Sequence, residues 1–210
     1  MDIRVFTQSA IKISGDGKNI YFDPYSLKFA NNDADIIFFT HDHYDHFSPE
    51  DIAKVSKDNT IFVSPEKMTP KVKKILKGAQ TAISVKPYQK IIVDKTETET
   101  VPAYNKAKAF HPKSSGFVGY VITVEGKRLY VAGDTDDLKE NEKINCDICF
   151  IPIGGTFTMD AMEAAEFVNR LKPKTAIPIH YGSIVGKKED QIVFKNNVDS
   201  GINVKFMLFD

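Results

Sequence analysis

The stretch IIFFTHDHYDHFSPEDI, residues 36–52, sets three of the chain's five histidines and three aspartates directly behind an apolar run. Four consecutive apolar residues, Ile36 to Phe39, suit a short central strand buried on both faces. SPEDIAKVS, 48–56, then reads as a helix start: Ser48 can cap, Pro49 suits the first helical position, and Asp51 completes a box-like pattern. Residues 41–46 therefore belong to a loop between a buried strand and a helix.

Outward from this loop, DIRVF (2–6), SAIKIS (9–14) and NIYFDPY (19–25) read as strands, with a hairpin turn at SGDGK. Downstream come a strand at TIFVS (60–64), a helix over PEKMTPKVKKILKG (65–78), and strands at TAISV (81–85), KIIV (90–93) and ETVPAYN (99–105). GFVGYVITV (116–124) and RLYVAGD (128–134) form a second hairpin through EGK, followed by a strand at DICFIPI (147–153). MDAMEAAEFVNRLKP (159–173) is a helix with Ala161, Ala164, Ala165, Val168 and Leu171 on one stripe, Asp160 and Glu163 as a cap pair, and Pro173 as a stop. TAIPIHY (175–181), a polar helix over 188–200 and a strand at INVKFMLF (202–209) close the chain. Both halves run from strands into strand and helix in alternation, which predicts one layered α/β domain over 1–210 with mixed sheets.

Composition narrows the function classes. Basic and acidic side chains balance at 28 each, so no global field favours nucleic acid or an anionic membrane. The longest apolar runs fall far short of the roughly 18 residues of a membrane span. Two cysteines are too few for a disulfide framework and the start lacks an apolar export signal, so the expectation is a reduced, cytoplasmic protein. CDIC (146–149), with no second such pair, reads as two buried core thiols.

The chemistry concentrates in H-x-H-x-D-H: His41, His43, Asp45 and His46. In an extended segment residues two apart point the same way, so His41 and His43 can converge on one ion. Asp45 and His46 lie where the chain turns and can face a second. Three clustered imidazoles beside carboxylates have few structural motives. His111 in AFHPKSSG and His180 in PIHYG sit at segment ends, and Asp134 in VAGDTD follows a strand and a glycine. Asp42 alternates away from His41 and His43 and reads as a bystander; Asp136 and Asp137 read as a solvated loop or as support behind the ligands.

This ordered set resembles the metallo-β-lactamase-fold hydrolases along nearly the whole chain. IPIGGTFTMDAMEAAEF (151–167) with IPIHYG (177–182) looks like the small cytosolic branch related to ascorbate phosphate lactonases. The resemblance implies a four-layer αββα sandwich in which His41, His43 and His111 bind one metal, Asp45, His46 and His180 a second, and Asp134 bridges. It implies a hydrolase in which Asp45 also orients the attacking water and relays its proton. Imidazoles and carboxylates suit zinc and also accept manganese or iron. Two such divalent ions roughly 3.5–4 Å apart bring the pKa of a shared water towards neutrality.

The expected substrate is a small anionic metabolite, a lactone, other ester or phosphodiester. Lys113, Ser114 and Thr158 are candidate substrate contacts, with Phe157 and Met159 as candidate pocket wall; ordinary loop and core roles are the alternative for each. A non-catalytic metal-binding or sensing module and an RNA-processing metallonuclease are the rival readings, the second disfavoured by the neutral, compact chain. No nucleic-acid or membrane partner is expected, and a homo-oligomer stays open.

Overall fold

A computed structural model describes residues 1–208 of the chain. The first sheet contains, in spatial order, β1 (Asp2–Val5), β2 (Ile11–Gly15), β3 (Lys18–Phe22), β4 (Ala34–Phe38), β5 (Ser56–Pro65) and β6 (Thr81–Val85). β1 to β3 pair antiparallel and β3 to β6 parallel. The second sheet holds β7 (Lys90–Val93), β8 (Thr96–Pro102), β9 (Val118–Val124), β10 (Lys127–Val131), β11 (Ile148–Pro152), β12 (Thr175–Ile179) and β13 (Asn203–Val204). It repeats the plan: β7 to β10 antiparallel, β10 to β13 parallel. The helices are α1 (Pro49–Val55), α2 (Thr69–Lys73), α3 (Ala161–Leu171) and α4 (Asp190–Asn197). Two mixed sheets flanked by helices make the αββα sandwich expected from the sequence.

The apolar run of β4 explains its central place. Ile36 and Phe38 enter the core between the sheets, while Ile37 and Phe39 enter a second core shared with Ile52 and Val55 of α1 and Val72 of α2. Alternation puts successive side chains on opposite faces, and here both faces are dry. On the far side Ala164, Ala165 and Val168 of α3 and Phe194 of α4 cover the second sheet. Asp160 and Glu163 form a complete capping box on α3.

Both expected hairpins are two-residue turns. Asp16-Gly17 (φ 50° and 74°) and Glu125-Gly126 (φ 49° and 70°) adopt the left-handed conformations that match the twist of the flanking strands. The helix expected over 65–78 shrinks to one turn. Pro65 is taken by β5, where it pairs with Val85, and the chain breaks again at Lys77, whose N–H donates to Gln80 Oε1. The last strand pairs only at Asn203 and Val204, at the sheet edge, and Phe209 lies outside the described residues. Among the described residues no helix is long and apolar enough to cross a membrane. Cys146 and Cys149 are free and buried; burial pushes the Cys146 thiol up to about 12.

The sheets meet beneath the histidine loop. Phe38 stacks on Phe22 (5.0 Å) and packs against Tyr120 of β9 (4.9 Å), whose hydroxyl donates to the Phe39 carbonyl at 2.8 Å. The Val118 N–H donates to the Thr40 carbonyl at 3.2 Å, a second link between the halves. Tyr120→Phe keeps the ring and deletes the buried bond, so urea unfolding is expected to show a loss of about 1 to 2 kcal/mol, with an unchanged far-ultraviolet spectrum.

Candidate metal centre

Every ligand expected from the sequence leaves a strand at the same end of the sandwich. His41, His43, Asp45 and His46 follow β4, His111 lies between β8 and β9, Asp134 follows β10 and His180 follows β12. Close backbone approach makes this possible at two glycines. A Cβ on Gly133 (φ 67°) would stand 3.0 Å from Thr40 Cβ, and one on Gly154 would stand 2.4 Å from the His180 carbonyl oxygen. Two supporting residues and one ligand are held in the left-handed region, Gln8 (φ 58°), Asp23 (φ 43°) and His180 (φ 57°). Such strain costs of order 1–3 kcal/mol per residue and gathers at functional sites.

The seven groups converge in three overlapping triads: His41, His43 and His111; His41, His46 and Asp134; Asp45, His46 and His180. Asp134 is the hub. Its Oδ2 lies 3.2 Å from His180 Nε2, 3.6 Å from His111 Nε2 and 3.9 Å from His41 Nε2, and its Oδ1 lies 3.4 Å from His46 Nε2. Asp45 Oδ2 sits 3.4 Å from His180 Nε2 and 3.6 Å from His46 Nε2.

Hydrogen bonds behind the ligands fix which nitrogens face inward. The Thr40 hydroxyl donates to Asp23 Oδ2 at 2.6 Å, so towards His41 Nδ1, 3.0 Å away, it accepts. Asp23 Oδ2 also accepts from His46 Nδ1 at 2.8 Å. Asn105 donates through Nδ2 to Asp136 and to the Phe157 carbonyl, which leaves its Oδ1 to accept from His111 Nδ1 at 2.9 Å. His41, His46 and His111 thereby turn Nε2 to the centre, the outer-shell arrangement of metal-binding histidines. His111 Nε2 and His43 Nδ1 face each other at 3.1 Å. Buried and without hydrogen-bond partners are His41 Nε2, His46 Nε2, His180 Nδ1 and Nε2, and Asp134 Oδ1. Unpaired buried polar atoms are costly, and inward-facing lone pairs of this donor set fit divalent cations.

Charge balance tells the same story. Burial disfavours charge on His46, but Asp134 and Asp23 outweigh it and hold its pKa well above the usual value. His180 behaves alike, raised to about 9 against burial by Asp134 and Asp45. Burial drives His111 down to about 4, and burial with His46 lowers His41 well below the ordinary range. For Asp45 burial is overcome by His180 and His46, giving about 2. Three carboxylates, Asp23, Asp45 and Asp134, thus retain protons on His46 and His180 where divalent ions would supply positive charge.

A cavity of about 690 Å³ opens directly onto the centre. His43, Asp45 and Asp134 form its polar side; Tyr44, Phe110, Phe157, Ile184 and Val185 form much of the rest. The expected substrate contacts are placed elsewhere. Lys113 Nζ pairs with Glu140 and Tyr104 on the surface, Ser114 offers its carbonyl to Lys67, and the Thr158 hydroxyl is buried against the Met159 carbonyl. Met159 is core, whereas Phe157 is wall. Asp42 pairs with Lys71, away from the metal groups. Asp136 is a buried anchor that accepts from Asn105, the Lys106 N–H and Lys108.

Asp23, Thr40, Gln8 and Asn105 were missing from the sequence-derived site. Asp23 had a signal in YFDPY, a carboxylate at the exit of a buried run, as His41 is at the exit of IIFF. Gln8 donates to Asp45 Oδ2 at 3.3 Å and its carbonyl accepts from the His180 N–H at 2.9 Å, contacts no local pattern announces.

A profile described as a β-lactamase superfamily domain matches residues 2–180. The chain belongs to the metallo-β-lactamase superfamily. Its relatives include a UPF0173 metal-dependent hydrolase of Staphylococcus haemolyticus, 29% identical over 96% of this chain and 94% of that protein. A crystal structure of a protein classed as a metal-dependent hydrolase from Parabacteroides distasonis superposes with a TM-score of 0.84 at 31% identity, covering 98% of this chain and 92% of that one. Igni18, a metallo hydrolase from the archaeon Ignicoccus hospitalis, shares the fold at a TM-score of 0.78 and 22% identity, covering 98% and 94%. These likenesses set the chain in the metal-dependent hydrolase branch.

Asp23→Ala removes the partner of both His46 and Thr40 and is expected to weaken divalent-metal affinity about 10- to 100-fold, measured by competition with a chromophoric chelator. The raised His180 pKa makes its stabilisation of the metal-free protein complete below about 6.5 and lost as pH rises through about 9. Ligation instead needs neutral imidazoles and strengthens with pH. Between pH 7 and 9.5 this contribution lowers the melting temperature of chelator-treated protein, while the stabilisation added by metal grows, a divergence read by calorimetry.

Proposed function

We propose that this protein is a hydrolase whose centre holds two divalent ions, zinc foremost, with His41, His43 and His111 on one, Asp45, His46 and His180 on the other, and Asp134 shared. The observation that carries the reading is the convergence of seven ligand groups, among which His41 Nε2, His46 Nε2, His180 Nε2 and Asp134 Oδ1 are buried without a hydrogen-bond partner. When bound, the ions supply Lewis acidity that makes water a nucleophile near neutral pH and stabilises negative charge on a carbonyl or phosphoryl oxygen.

The chain's own residues do the rest. Asp45 lines both the centre and the cavity, and its contacts with the imidazoles and Gln8 all run through Oδ2. Its Oδ1 is the atom available to take a proton from the attacking water and pass it to the leaving group. Gln8 keeps the carboxylate turned in that sense. Phe110 and Phe157 shield one flank from bulk water.

A cavity against the centre favours catalysis over a purely structural or sensing site, which needs no such space. Selection for an anionic metabolite finds no support in the lining, which includes no lysine or arginine to pair with a charge remote from the scissile bond.

Protein purified without chelator is expected to carry close to two divalent ions per chain and to turn over at least one member of a panel of esters, lactones, thioesters and phosphodiesters. Asp134→Ala is expected to lose metal and activity together. Full metal content with silence across the panel would favour a sensing module; salt-sensitive RNA binding and cleavage would favour the metallonuclease.

A further inference from the structure

Beyond the metal groups, the cavity is built for an apolar occupant. Its volume, about 690 Å³, lies in the range of small-molecule sites, which are mostly apolar with a few converging polar groups. Besides the metal groups, Thr156 and Gly186, the lining consists of Tyr44, Phe110, Phe157, Ile184 and Val185. Tyr44, Phe110 and Ile184 are 64%, 54% and 38% exposed, so three large apolar side chains gather around one opening. Isolated exposed apolar residues need no explanation, whereas a cluster at a pocket does.

The wall is also fixed in shape. Phe110 and Phe157 come from different loops and meet edge to face at 4.6 Å. Partly buried polar bonds tie those loops together: Asn105 Nδ2 to the Phe157 carbonyl at 2.9 Å and Lys108 Nζ to the Thr158 carbonyl at 2.7 Å. Two cations of the flanking loops are engaged elsewhere, Lys108 with Asp136 and Lys113 with Glu140. An anionic group seated against this wall would lose hydration and gain no side-chain counter-charge; an apolar one would cover surface now open to water.

We infer that the substrate is an uncharged carboxylic ester or lactone whose acyl part is an apolar chain or ring seated against Phe110, Phe157, Ile184 and Val185. This rests on the hydrolase reading above. The water oxygen bonds to the acyl carbon, the ester C–O bond breaks, one water proton goes to the leaving alkoxide, and the other is released as the product ionises to a carboxylate. That product carries its new charge at the polar, metal-facing side.

The test uses the full chain loaded with zinc and p-nitrophenyl acetate, butanoate, hexanoate and octanoate, with the anionic p-nitrophenyl hemisuccinate and bis-p-nitrophenyl phosphate alongside. Binding of acetamide, butanamide, hexanamide and octanamide, followed by calorimetry, supplies a readout independent of turnover. Expected are a rise in kcat/KM of about threefold per added methylene until the cavity is filled, a parallel tightening of the amides, and a hemisuccinate at least about tenfold poorer than butanoate. Phe157→Ala should flatten the chain-length slope, and Ile184→Lys should narrow the gap between hemisuccinate and butanoate. A flat slope in turnover and binding, or preference for either anionic substrate, overturns the apolar assignment while the turnover itself sustains the hydrolase. Amide binding that tightens with length, with no turnover of any ester or phosphodiester by metal-loaded protein, sustains the apolar site and overturns the hydrolase.

Discussion

Nitrogen lone pairs that point at one another repel, and here the fold must hold five imidazoles and two carboxylates around one small space. It does so by fixing the far side of three of the rings, His41, His46 and His111. Asp23 is the decisive group, because its single carboxylate holds His46 directly and His41 through the Thr40 hydroxyl. Burial raises the Asp23 pKa, opposed by His46 and Thr40. The pair is best described as a proton kept on His46 Nδ1 and shared towards Asp23, which leaves Nε2 free for a cation. Much of the surrounding architecture serves this arrangement: β3 ends at Phe22, just before Asp23, β4 ends at Phe38, two residues before Thr40, and the stacked rings of Phe22 and Phe38 set the separation of those two strand ends.

The fold was readable where chemistry is local. Alternation in the hairpins, the two-residue Asp-Gly and Glu-Gly turns, the capping box at Asp160 and the doubly buried run of β4 each depend on residues a few positions apart. The helix expected over 65–78 failed where a nonlocal pairing, β5 with β6, claimed Pro65 first. The same division runs through the site. H-x-H-x-D-H declares itself because a loop supplies four ligands at once, and the resemblance it carries located His111, Asp134 and His180. The groups that orient those ligands come from afar: Asp23 lies 23 positions from His46, and Gln8 lies 37 from Asp45. No spacing rule connects such pairs; only the paired strand ends do.

Lys113 illustrates a different failure. Beside His111 in sequence, it points to Glu140 and Tyr104 on the surface, because the short helical turn at Lys113–Ser115 turns the chain away after the ligand. Phe110, on the other side of His111, faces the cavity. Adjacency to a ligand therefore carried no information about which neighbour faces the cavity. Asp136, read as a solvated or supporting residue, proves to be the anchor that couples the His111 loop to the Phe157 loop through Asn105 and Lys108, and so links ligand orientation to pocket shape.

The repeated plan of the two sheets explains why the site lies where it does. In each sheet an antiparallel meander leads into parallel strands, and parallel strands present all their carboxyl ends at one edge. Face-to-face packing brings the two edges together, so the first half supplies His41, His43, Asp45 and His46 while the second supplies His111, Asp134 and His180. Neither half closes any metal-binding set alone, since each of the three triads draws on both. Three bonds that cross between the halves, Val118 to Thr40, Tyr120 to Phe39 and His180 to Gln8, lie within two residues of a ligand or of a residue that orients one. Sheet packing and ligand geometry are consequently one constraint: a shift of one sheet against the other separates the triads at the moment it breaks those bonds.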